Sequence, residues 1–337
     1  MTLLSEAHEI SDIAFGFMGS KALFAALEFG LFDALAEGPR SAEEIGAACD
    51  LHPERARTLL TALTGLGVVS VEGGRFANSP AAAAFLVKGE KYDFSDYLRL
   101  QVGRQMYPLM SQLEPALKDD LPEGATGSYA QWFSDPEEAR LYSDSQHAGS
   151  LGPAGVLARR LDLSNARRML DVGGGTGAFS ITFCKAFPQL HSTIVDFPNV
   201  VAVGREKVAE AGLEARITYK EADATNLDWP EGQDVVLMSY LLSGVPAEAH
   251  APLFEAAFRA LRPGGLLLVH DFVVRGDRSG PHLTALWQLQ HTAFTPQAAS
   301  LDASGLSSAL GQAGFAEVTV GPMIPEMTML AQAQKPE

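Results

Sequence analysis

The feature that most constrains the fold is the regular alternation of short apolar segments and helical segments after about residue 165. The apolar segments are rich in Val, Ile and Leu, and the segments between them show helical spacing of apolar residues. Parallel strands need a crossover connection, which a helix usually supplies. The pattern therefore predicts an α/β fold with a mostly parallel, Rossmann-like sheet of seven strands. They are Arg168–Val172, Ser192–Val195, Ile217–Lys220, Val235–Met238, Leu266–Val269 and a closing antiparallel hairpin of Glu317–Val320 and Met327–Ala333.

The first ninety residues predict three helices followed by a small hairpin. One helix is expected over Ala14–Leu35, and Ser41 with Glu44 fits a capping box that opens the next. His52-Pro53 places a proline in the first turn of a third helix, whose predicted buried stripe is Leu59, Leu60, Leu63 and Leu66. Strands at 68–71 and 75–77 then flank a Gly-Gly turn. This order is typical of a winged helix.

The charge of this winged helix argues against nucleic-acid binding. Residues 1–90 contain 6 Lys+Arg and 12 Asp+Glu, a net charge of 6 − 12 = −6, and the whole chain of 337 residues has a net charge of −16. Phosphate backbones are bound by dense Lys and Arg, which this segment lacks. We therefore expect a packing and dimerising module and no nucleic-acid partner.

Composition also limits the class of protein. Cys49 and Cys184 are the two cysteines, too few for a disulfide scaffold or a Cys-rich zinc site. No uninterrupted apolar run reaches about 18 residues, and the N-terminus lacks the basic segment of a signal peptide. The His, Asp and Glu spacings do not form a persuasive metal site. We expect a cytoplasmic protein with no membrane partner and no metal.

A glycine-rich turn lies between the first predicted strand and its helix. Gly173, Gly175 and Gly177 would let the backbone turn tightly and approach a ligand closely, and Asp171 stands just before them. The third glycine comes one residue too early for the dinucleotide fingerprint GxGxxG. The turn therefore indicates a nucleotide-like ligand other than a dinucleotide.

Further acids follow the next two strands. Asp196 ends the second strand, where a carboxylate can accept hydrogen bonds from ribose hydroxyls, and Asp223-Ala224 ends the third, where an adenine edge would lie. Ligands of open α/β sheets bind at the carboxyl ends of the strands. Together with the glycine-rich turn, these residues predict a binding site for S-adenosylmethionine, whose product is S-adenosylhomocysteine.

The sequence resembles the plant-type, class I O-methyltransferases along nearly its whole length. The motifs DVGGGTG, VDFPNV, EAD and LRPGG occur in the family's order, after a winged-helix module. The resemblance implies a homodimer and a division into a dimerisation domain (1–90), a substrate-pocket segment (91–165) and a cofactor domain (166–337). It implies that these residues bind the cofactor: Asp171, Gly173, Gly175, Gly177, Asp196, Phe197, Asp223, Ala224 and Ser239.

The chain departs from this family where its catalytic base is expected. Family members place a His-Asp pair after the fourth strand, and the aligned positions here hold Ser243 and Gly244. Neither is a general base near neutral pH, and losing one costs about 10²–10⁴ in rate for a hydroxyl acceptor. A thioether sulfur has no proton to lose. In this respect the chain is similar to the bacterial S-methyltransferases that act on 4-methylthio-2-hydroxybutyrate in dimethylsulfoniopropionate synthesis.

Two polar stripes are candidates for substrate contacts. Tyr142, Gln146 and His147 follow Asp135-Pro136 at i, i+4 and i+5, which predicts that they share one helical face, and we expect Tyr142 and His147 to orient the substrate. Upstream, Tyr97, Gln101 and Arg104 have spacing i, i+4 and i+7, which predicts a second shared face. An arginine is expected to bind the carboxylate of a small acid, with Arg104, Arg99 or Arg140 available. Trp287 and His291 complete the predicted substrate-binding residues, with His291 either a base or a substrate contact, and His270 is expected to be structural.

Three alternatives remain open at this point, one of them a family member that keeps the cofactor site but catalyses a different reaction, such as a hydroxylation or a rearrangement. An O- or C-methyltransferase of an aromatic or tetrapyrrole molecule would need a wide apolar pocket, with candidate lining residues Phe94, Met106, Trp132, Trp287 and Phe294. A winged-helix regulator that senses S-adenosylmethionine would need DNA affinity, which the local charge disfavours. The sequence therefore predicts a methyltransferase without the usual base, with S-methylation of a small thioether acid as the leading hypothesis.

Overall fold

The computed structural model describes residues 3–122, 125, 128–295 and 297–337. The chain divides into two compact units, Met1–Gln105 and Met106–Glu337. The three-part division with boundaries after residues 90 and 165 stays a prediction beside this observed division.

The first unit is helical with one small hairpin. Its helices pack around a core that includes Phe32, Ile45, Leu60 and Leu63. Its elements are α1 (Ala7–Glu28), α2 (Leu31–Ala36), α3 (Ala42–Ala48), α4 (Pro53–Gly65), β1 (Val69–Glu72), β2 (Arg75–Asn78) and α5 (Pro80–Phe85), followed by a π-helix over Tyr97–Met106 whose last residue begins the second unit.

Local sequence signals decide where several of these helices begin and end. The capping box is confirmed, because Ser41 Oγ accepts from Glu44 N and the Glu44 carboxylate accepts from Ser41 N. The single helix predicted over Ala14–Leu35 is wrong, because Gly30 adopts a left-handed φ of 66° and separates α1 from α2. The buried stripe of α4 is partly confirmed, since Leu60 and Leu63 are fully buried whereas Leu66 is half-exposed.

The upstream polar stripe lies in the π-helix rather than in an α-helix. Hydrogen bonds of a π-helix join residues i and i+5, so α-helical spacing does not place its side chains on one face. Gln101 is buried, whereas Arg104 is exposed and donates to the Glu28 carboxylate. The prediction that these residues share one face is therefore wrong.

Helix α1 combines length with low polarity. By length and composition alone it could cross a membrane, with a mean hydropathy of 1.4 and 17% of its apolar window buried. The sequence contains no uninterrupted run of that length because Asp12 and Lys21 fall within it. Ile10, Ile13 and Phe15 are each more than half exposed. The helix therefore presents an apolar surface of the kind that contacts another surface.

The second unit contains a seven-stranded sheet, which confirms the predicted fold class. The strand order is β5-β4-β3-β6-β7-β9-β8, with β3 to β7 parallel and β8 and β9 antiparallel. Its strands are β3 (Arg168–Val172), β4 (His191–Asp196), β5 (Ile217–Glu221), β6 (Gln233–Ser239), β7 (Leu261–Asp271), β8 (Ala316–Ile324) and β9 (Thr328–Gln334).

Helices cover both faces of this sheet because its central strands are apolar on both sides. Val236 and Leu237 of β6, for example, are fully buried although successive side chains point to opposite faces. The described helices of the second unit are α6 (Tyr107–Leu109), α7 (Leu113–Leu117), α8 (Tyr129–Trp132), α9 (Pro136–Arg160), α10 (Ala178–Ala186), α11 (Pro198–Glu210), α12 (His250–Ala260), α13 (His282–Phe294) and α14 (Ala303–Gln312), with 3₁₀ turns at Met110–Gln112, Leu242–Gly244 and Ala247–Ala249.

The topology fixes where a ligand can bind. The chain runs from β3 to β4 and β5 on one side, and then returns to β6 on the other side of β3. Open α/β sheets bind ligands in the crevice that such a reversal leaves at the carboxyl ends of the strands. The glycine-rich turn after β3 and the acid at the end of β4 both lie at this edge.

Candidate functional site

The glycine-rich turn after β3 has a backbone that only glycine adopts readily. Gly173, Gly175 and Gly177 have φ values of 66°, 59° and 80°. A Cβ atom on Gly177 would lie 2.8 Å from Ile194 Cδ1, and one on Gly174 would lie 2.5 Å from the Asp171 carboxyl carbon. The turn therefore holds its backbone amides close to the sheet edge and leaves space beside them.

Asp196 ties this turn to the end of β4. Its Oδ2 atom accepts from Gly175 N at 2.7 Å and its Oδ1 atom accepts from Phe197 N at 2.8 Å. Burial raises the pKa of Asp196 to about 6, although both backbone amides oppose this shift. The carboxyl is thus held in a fixed orientation with lone pairs left for a ligand.

Asp171 lies beneath the turn with half of its carboxyl unsatisfied. Ser180 Oγ donates to Oδ2 at 2.6 Å, whereas Oδ1 has no hydrogen-bond partner among the described residues. Burial raises the pKa of Asp171 to about 7, and the nearby Asp196 carboxylate acts in the same direction. An unsatisfied buried carboxyl oxygen is costly, and a ligand that brings a hydrogen-bond donor or a positive charge would remove that cost.

A cavity of about 460 Å³ opens over the turn and the ends of β3, β4 and β6. The described residues that line it include four acids (Asp171, Asp196, Asp223 and Glu248) and no Lys, Arg or His. Ten of the predicted site residues line it, namely Tyr142, Gln146, Asp171, Gly173, Gly175, Asp196, Phe197, Asp223, Ala224 and Ser239. Its charge favours a cationic or neutral ligand over an anionic one.

The residues around this cavity fit S-adenosylmethionine. The cofactor carries a sulfonium and an ammonium, which suit a cavity with acidic lining, and the unsatisfied Asp171 Oδ1 provides an acceptor. Asp223 Oδ1 accepts from Thr225 N and Thr225 Oγ1, which orients this exposed acid beside the buried Ala224. Among the described residues, no group of three or more metal-ligating side chains is placed to hold an ion.

Six other predicted site residues do not line the cavity. His147 turns toward the cofactor loop, where its Nδ1 atom lies 2.8 Å from Thr176 Oγ1. Five residues of an α-helix correspond to about 140° of rotation, so His147 and Tyr142 lie on different faces of α9 and the prediction of a shared face is wrong. Gly177 caps α10. Trp287 stacks on Phe272 with a centroid distance of 4.7 Å.

The remaining predicted residues form hydrogen bonds or ion pairs within their own units and do not line the cavity. His291 is buried on α13, with its Nδ1 atom 2.9 Å from the Trp287 carbonyl oxygen. Tyr97 and Arg104 belong to the π-helix of the first unit, where Arg104 is paired with Glu28. Arg99 is paired with Asp96, and Arg140 with Glu206. The three arginines considered for a carboxylate are therefore all engaged in ion pairs.

Two aromatic residues that were not predicted from the sequence, Tyr129 and Phe133, contribute to one wall of the cavity. Tyr129 and Phe133 line it with Tyr142, and Trp132 and Phe294 pack behind them. The Tyr129 ring lies 4.6 Å from that of Phe294 and 5.7 Å from that of Tyr142, centroid to centroid. The clustering of Tyr129, Trp132 and Phe133 within five residues was an available signal.

This aromatic wall accounts for the glycine at position 244. A Cβ atom on Gly244 would lie 2.7 Å from Tyr129 Cε2, so the aromatic ring occupies the space that an acidic side chain would need there. Ser243 is buried and its backbone N donates to Asp271 Oδ2 at 3.1 Å. The structure therefore has no general base at either aligned position.

The neighbouring His270 has a structural role. Its Nδ1 atom lies 3.0 Å from Ser239 Oγ and its Nε2 atom lies 2.8 Å from Thr328 Oγ1. Burial lowers the pKa of His270 to about 3, so the ring is neutral at physiological pH. With both nitrogens bonded in the core, it links β6, β7 and β9 as the sequence analysis expected.

Comparison with known proteins agrees with this geometry. Residues 117–316 match the O-methyltransferase domain and residues 11–88 match the O-methyltransferase dimerisation domain, which supports a homodimer. The apolar surface of α1 lies largely within the second match. This surface is suited to such an interface.

Three individual proteins illustrate the similarity. The 3-hydroxy-5-methyl-1-naphthoate 3-O-methyltransferase of Streptomyces sahachiroi is 34% identical over 83% of this chain and 81% of its own length. The N,N-dimethyltransferase OxyT of Streptomyces rimosus is 31% identical over 93% and 91%. The crystal structure of the S-adenosylmethionine-dependent methyltransferase SibL is 30% identical, with a TM-score of 0.77 and coverage of 98% and 100%.

Proposed function

Since the chain belongs to the O-methyltransferase family and is an S-adenosylmethionine-dependent methyltransferase, we propose that its methyl acceptor is a small, neutral, hydroxylated aromatic molecule. The observation that carries this proposal is the composition of the cavity wall. Tyr129, Phe133 and Tyr142 present aromatic surface beside the glycine-rich turn, and no described lining residue carries a positive charge.

The aromatic wall suits a flat acceptor. Phe133 and Tyr142 have ring centroids 4.8 Å apart, and Phe133 is buried. Aromatic pairs prefer tilted or offset arrangements and contribute about 0.5–1.5 kcal/mol beyond their buried area. An acceptor ring placed against this wall would lie next to the loop that binds the cofactor.

When bound, S-adenosylmethionine supplies an electrophilic methyl group on its sulfonium sulfur. The chain contributes position and exclusion of water, which together account for much of the rate in transfers of this kind. Asp171, Asp196 and Asp223 are the residues we propose to hold the cofactor. Gln146 lines the cavity from α9, together with Ser143 and Ser150, and its amide can orient an acceptor hydroxyl.

A hydroxyl acceptor must also lose a proton, and Ser243 is not a base that can take it. We propose that His291, which lies near Asp271 but not in the cavity lining, accepts this proton through a bound water. Its Nδ1 atom donates to the Trp287 carbonyl, because a carbonyl only accepts, and the lone pair is therefore on Nε2. Burial lowers the pKa of His291, so the ring is neutral near pH 7, and the Asp271 carboxylate stabilises its charged form.

S-methylation of a small thioether acid is the second candidate. Ser243 in place of a base favours it, because a thioether needs no deprotonation. The acidic lining and the pairing of Arg99, Arg104 and Arg140 favour the aromatic acceptor instead, since an anionic acid needs an available cation. Family membership in turn favours an enzyme over the regulator alternative.

The names of relatives point to aromatic and polyketide acceptors. One relative methylates a hydroxynaphthoate according to its name, and another makes an 8-O-methyl transfer in tetracenomycin polyketide synthesis at 27% identity. The first of these acceptors carries a carboxylate, for which the described cavity of this chain has no cationic partner. A neutral naphthol is therefore the better match.

The test is methyl transfer from labelled S-adenosylmethionine to 2-naphthol, 3-hydroxy-2-naphthoate and 4-methylthio-2-hydroxybutyrate. We expect labelling of 2-naphthol above the naphthoate, and a higher KM for 2-naphthol in Phe133→Leu. Phe258→Leu is the matched control, because Phe258 packs on Phe315 away from the cavity. Labelling of the thioether acid alone, at a rate independent of pH above neutrality, would replace the proposal by S-methylation.

A further inference from the structure

The glycine-rich turn has one side chain that can tie it to the rest of the unit. The sequence from 173 to 177 is Gly-Gly-Gly-Thr-Gly, so Thr176 carries the sole side chain of the turn. Its neighbours Gly175 and Gly177 both have left-handed φ values. Glycine loses more conformational freedom on ordering than any other residue, so such a turn needs anchors to keep one conformation.

The anchor of that side chain is His147. Thr176 is buried, and its Oγ1 atom lies 2.8 Å from His147 Nδ1, which projects from α9. The other anchors of the turn are backbone groups, with Gly173 N donating to Val195 O and Gly175 N donating to Asp196 Oδ2. Because β4 supplies both of these acceptors, His147 adds a connection to a different element.

That element is also the one that walls the rest of the cavity. Tyr142, Ser143 and Gln146 line the cavity from α9, within about one and a half turns before His147. Helix α9 packs against α10 and α11, which follow the ends of β3 and β4. A hydrogen bond between α9 and the turn therefore joins the two halves of the cavity.

We propose that His147 is a positioning residue that couples the cofactor loop to α9, so that cofactor binding orders the acceptor wall of the cavity. The imidazole holds Thr176, and Thr176 holds the turn in the conformation that the cofactor meets. Tyr142 and Gln146 lie on the same helix as His147, so they become ordered when the turn binds the cofactor. His147 does not contact the reacting atoms in this assignment.

The hydrogen bond between His147 and Thr176 persists through the physiological pH range. Burial lowers the pKa of His147 to about 4, with Lys207 of α11 and Lys185 of α10 acting in the same direction and Asp144 of α9 opposing them. Lys207 is itself paired with Asp144 at 3.2 Å. The neutral ring can pair with the Thr176 hydroxyl in either tautomer, because a hydroxyl both donates and accepts.

The experiment measures binding of S-adenosylhomocysteine alone by calorimetry, so the identity of the acceptor does not enter. His147→Leu and Thr176→Val each remove one partner, and we expect about five-fold weaker binding in each, as one lost hydrogen bond predicts. The double variant should bind no more weakly than either single variant, because both delete the same bond. His147→Asn, whose amide can occupy the Nδ1 position, should bind within about two-fold of the natural protein.

A second readout separates coupling from general loosening of the fold. In the natural protein, S-adenosylhomocysteine should slow amide hydrogen exchange both in the turn and along α9 from Tyr142 to Gln146. In His147→Leu it should slow exchange in the turn alone. If His147→Leu does not fold, Thr176→Val and His147→Asn carry the same comparison. Unchanged affinity in Thr176→Val, additive losses in the double variant, or equal protection of α9 in all variants would overturn the proposal.

Discussion

Replacing Asp196 by asparagine separates the role of the carboxylate in cofactor binding from the loss of stability that its burial causes when no cofactor is bound. The carboxyl is buried, and both of its oxygens accept backbone hydrogen bonds, from Gly175 N and Phe197 N. Asparagine has nearly the same shape and remains neutral at every pH. The asparagine side chain keeps one acceptor oxygen. Its NH₂ group replaces the other oxygen and faces a backbone N–H, which is also a donor.

The stability effect follows from the pKa. Burial raises the pKa of Asp196 from an ordinary 3.8 to about 6. The folded state therefore holds this proton more tightly than the unfolded chain, and the free energy of unfolding falls as pH rises from about 4 to about 6. The difference between the two pKa values corresponds to on the order of 3 kcal/mol, fully lost above about pH 6. Asparagine removes this pH-dependent loss.

We expect the variant to be more stable than the natural protein but to bind S-adenosylhomocysteine more weakly. Without cofactor at pH 8, Asp196→Asn should have a free energy of unfolding on the order of 1–3 kcal/mol higher than the natural protein, less the cost of the mismatched NH₂ group. Its affinity for S-adenosylhomocysteine should fall by roughly 10- to 150-fold, the equivalent of one hydrogen bond to a charged group. Urea unfolding at pH 5 and pH 8, at one fixed protein concentration, and calorimetric titration measure the two quantities.

The control is Asp228→Asn. Asp228 is an exposed acid paired with Lys220 at 2.9 Å, and it does not line the cavity. Its replacement should change stability by less than about 0.5 kcal/mol and leave affinity unchanged. The reasoning is refuted if Asp196→Asn is less stable at pH 8 and keeps the natural dependence on pH, or if its affinity for S-adenosylhomocysteine is unaltered.

Three further outcomes test the fold and the site. Gly177→Ala should lower the free energy of unfolding by about 1–3 kcal/mol, because Gly177 has a φ of 80° and the new Cβ atom would lie 2.8 Å from Ile194 Cδ1. The control is Gly311→Ala on α14, which should be neutral or stabilising because the new Cβ atom meets no neighbour. His291→Gln should lower kcat for a naphthol by about 10²–10⁴ and remove the fall in rate toward low pH, and an unchanged pH profile would exclude it as the base. Ser41→Ala should cost about 1 kcal/mol in urea unfolding through loss of the N-cap, with an unchanged midpoint arguing against the capping box.

Much of the cofactor half of the site follows from local sequence. A left-handed backbone needs glycine, and an acid at the end of a parallel strand lies at the ligand edge of the sheet, so Gly173, Gly175 and Asp196 could be placed from the pattern alone. The structure brings them together as short-range geometry requires, with Asp196 bonded to Gly175 N. The alternation of strands and helices likewise confirmed the fold class.

The acceptor half could not be placed in the same way. The direction of a side chain on a helix depends on helix type and on what packs beside it. The π-helix over Tyr97–Met106 turned Arg104 to Glu28, and the packing of α9 turned His147 to Thr176. Neither partner is adjacent in sequence, and no local pattern indicates which of them a side chain will reach.

By itself the sequence determined the sheet, the cofactor loop and the loss of a base at position 243, because each depends on residue type or on spacing along the chain. The tertiary structure alone decided that Tyr129 lies over Gly244, that Asp171 keeps an unsatisfied oxygen, and that the described lining of the cavity is acidic and aromatic. These properties arise from contacts between residues far apart in the chain, where close packing and desolvation set which groups meet and at what energetic cost.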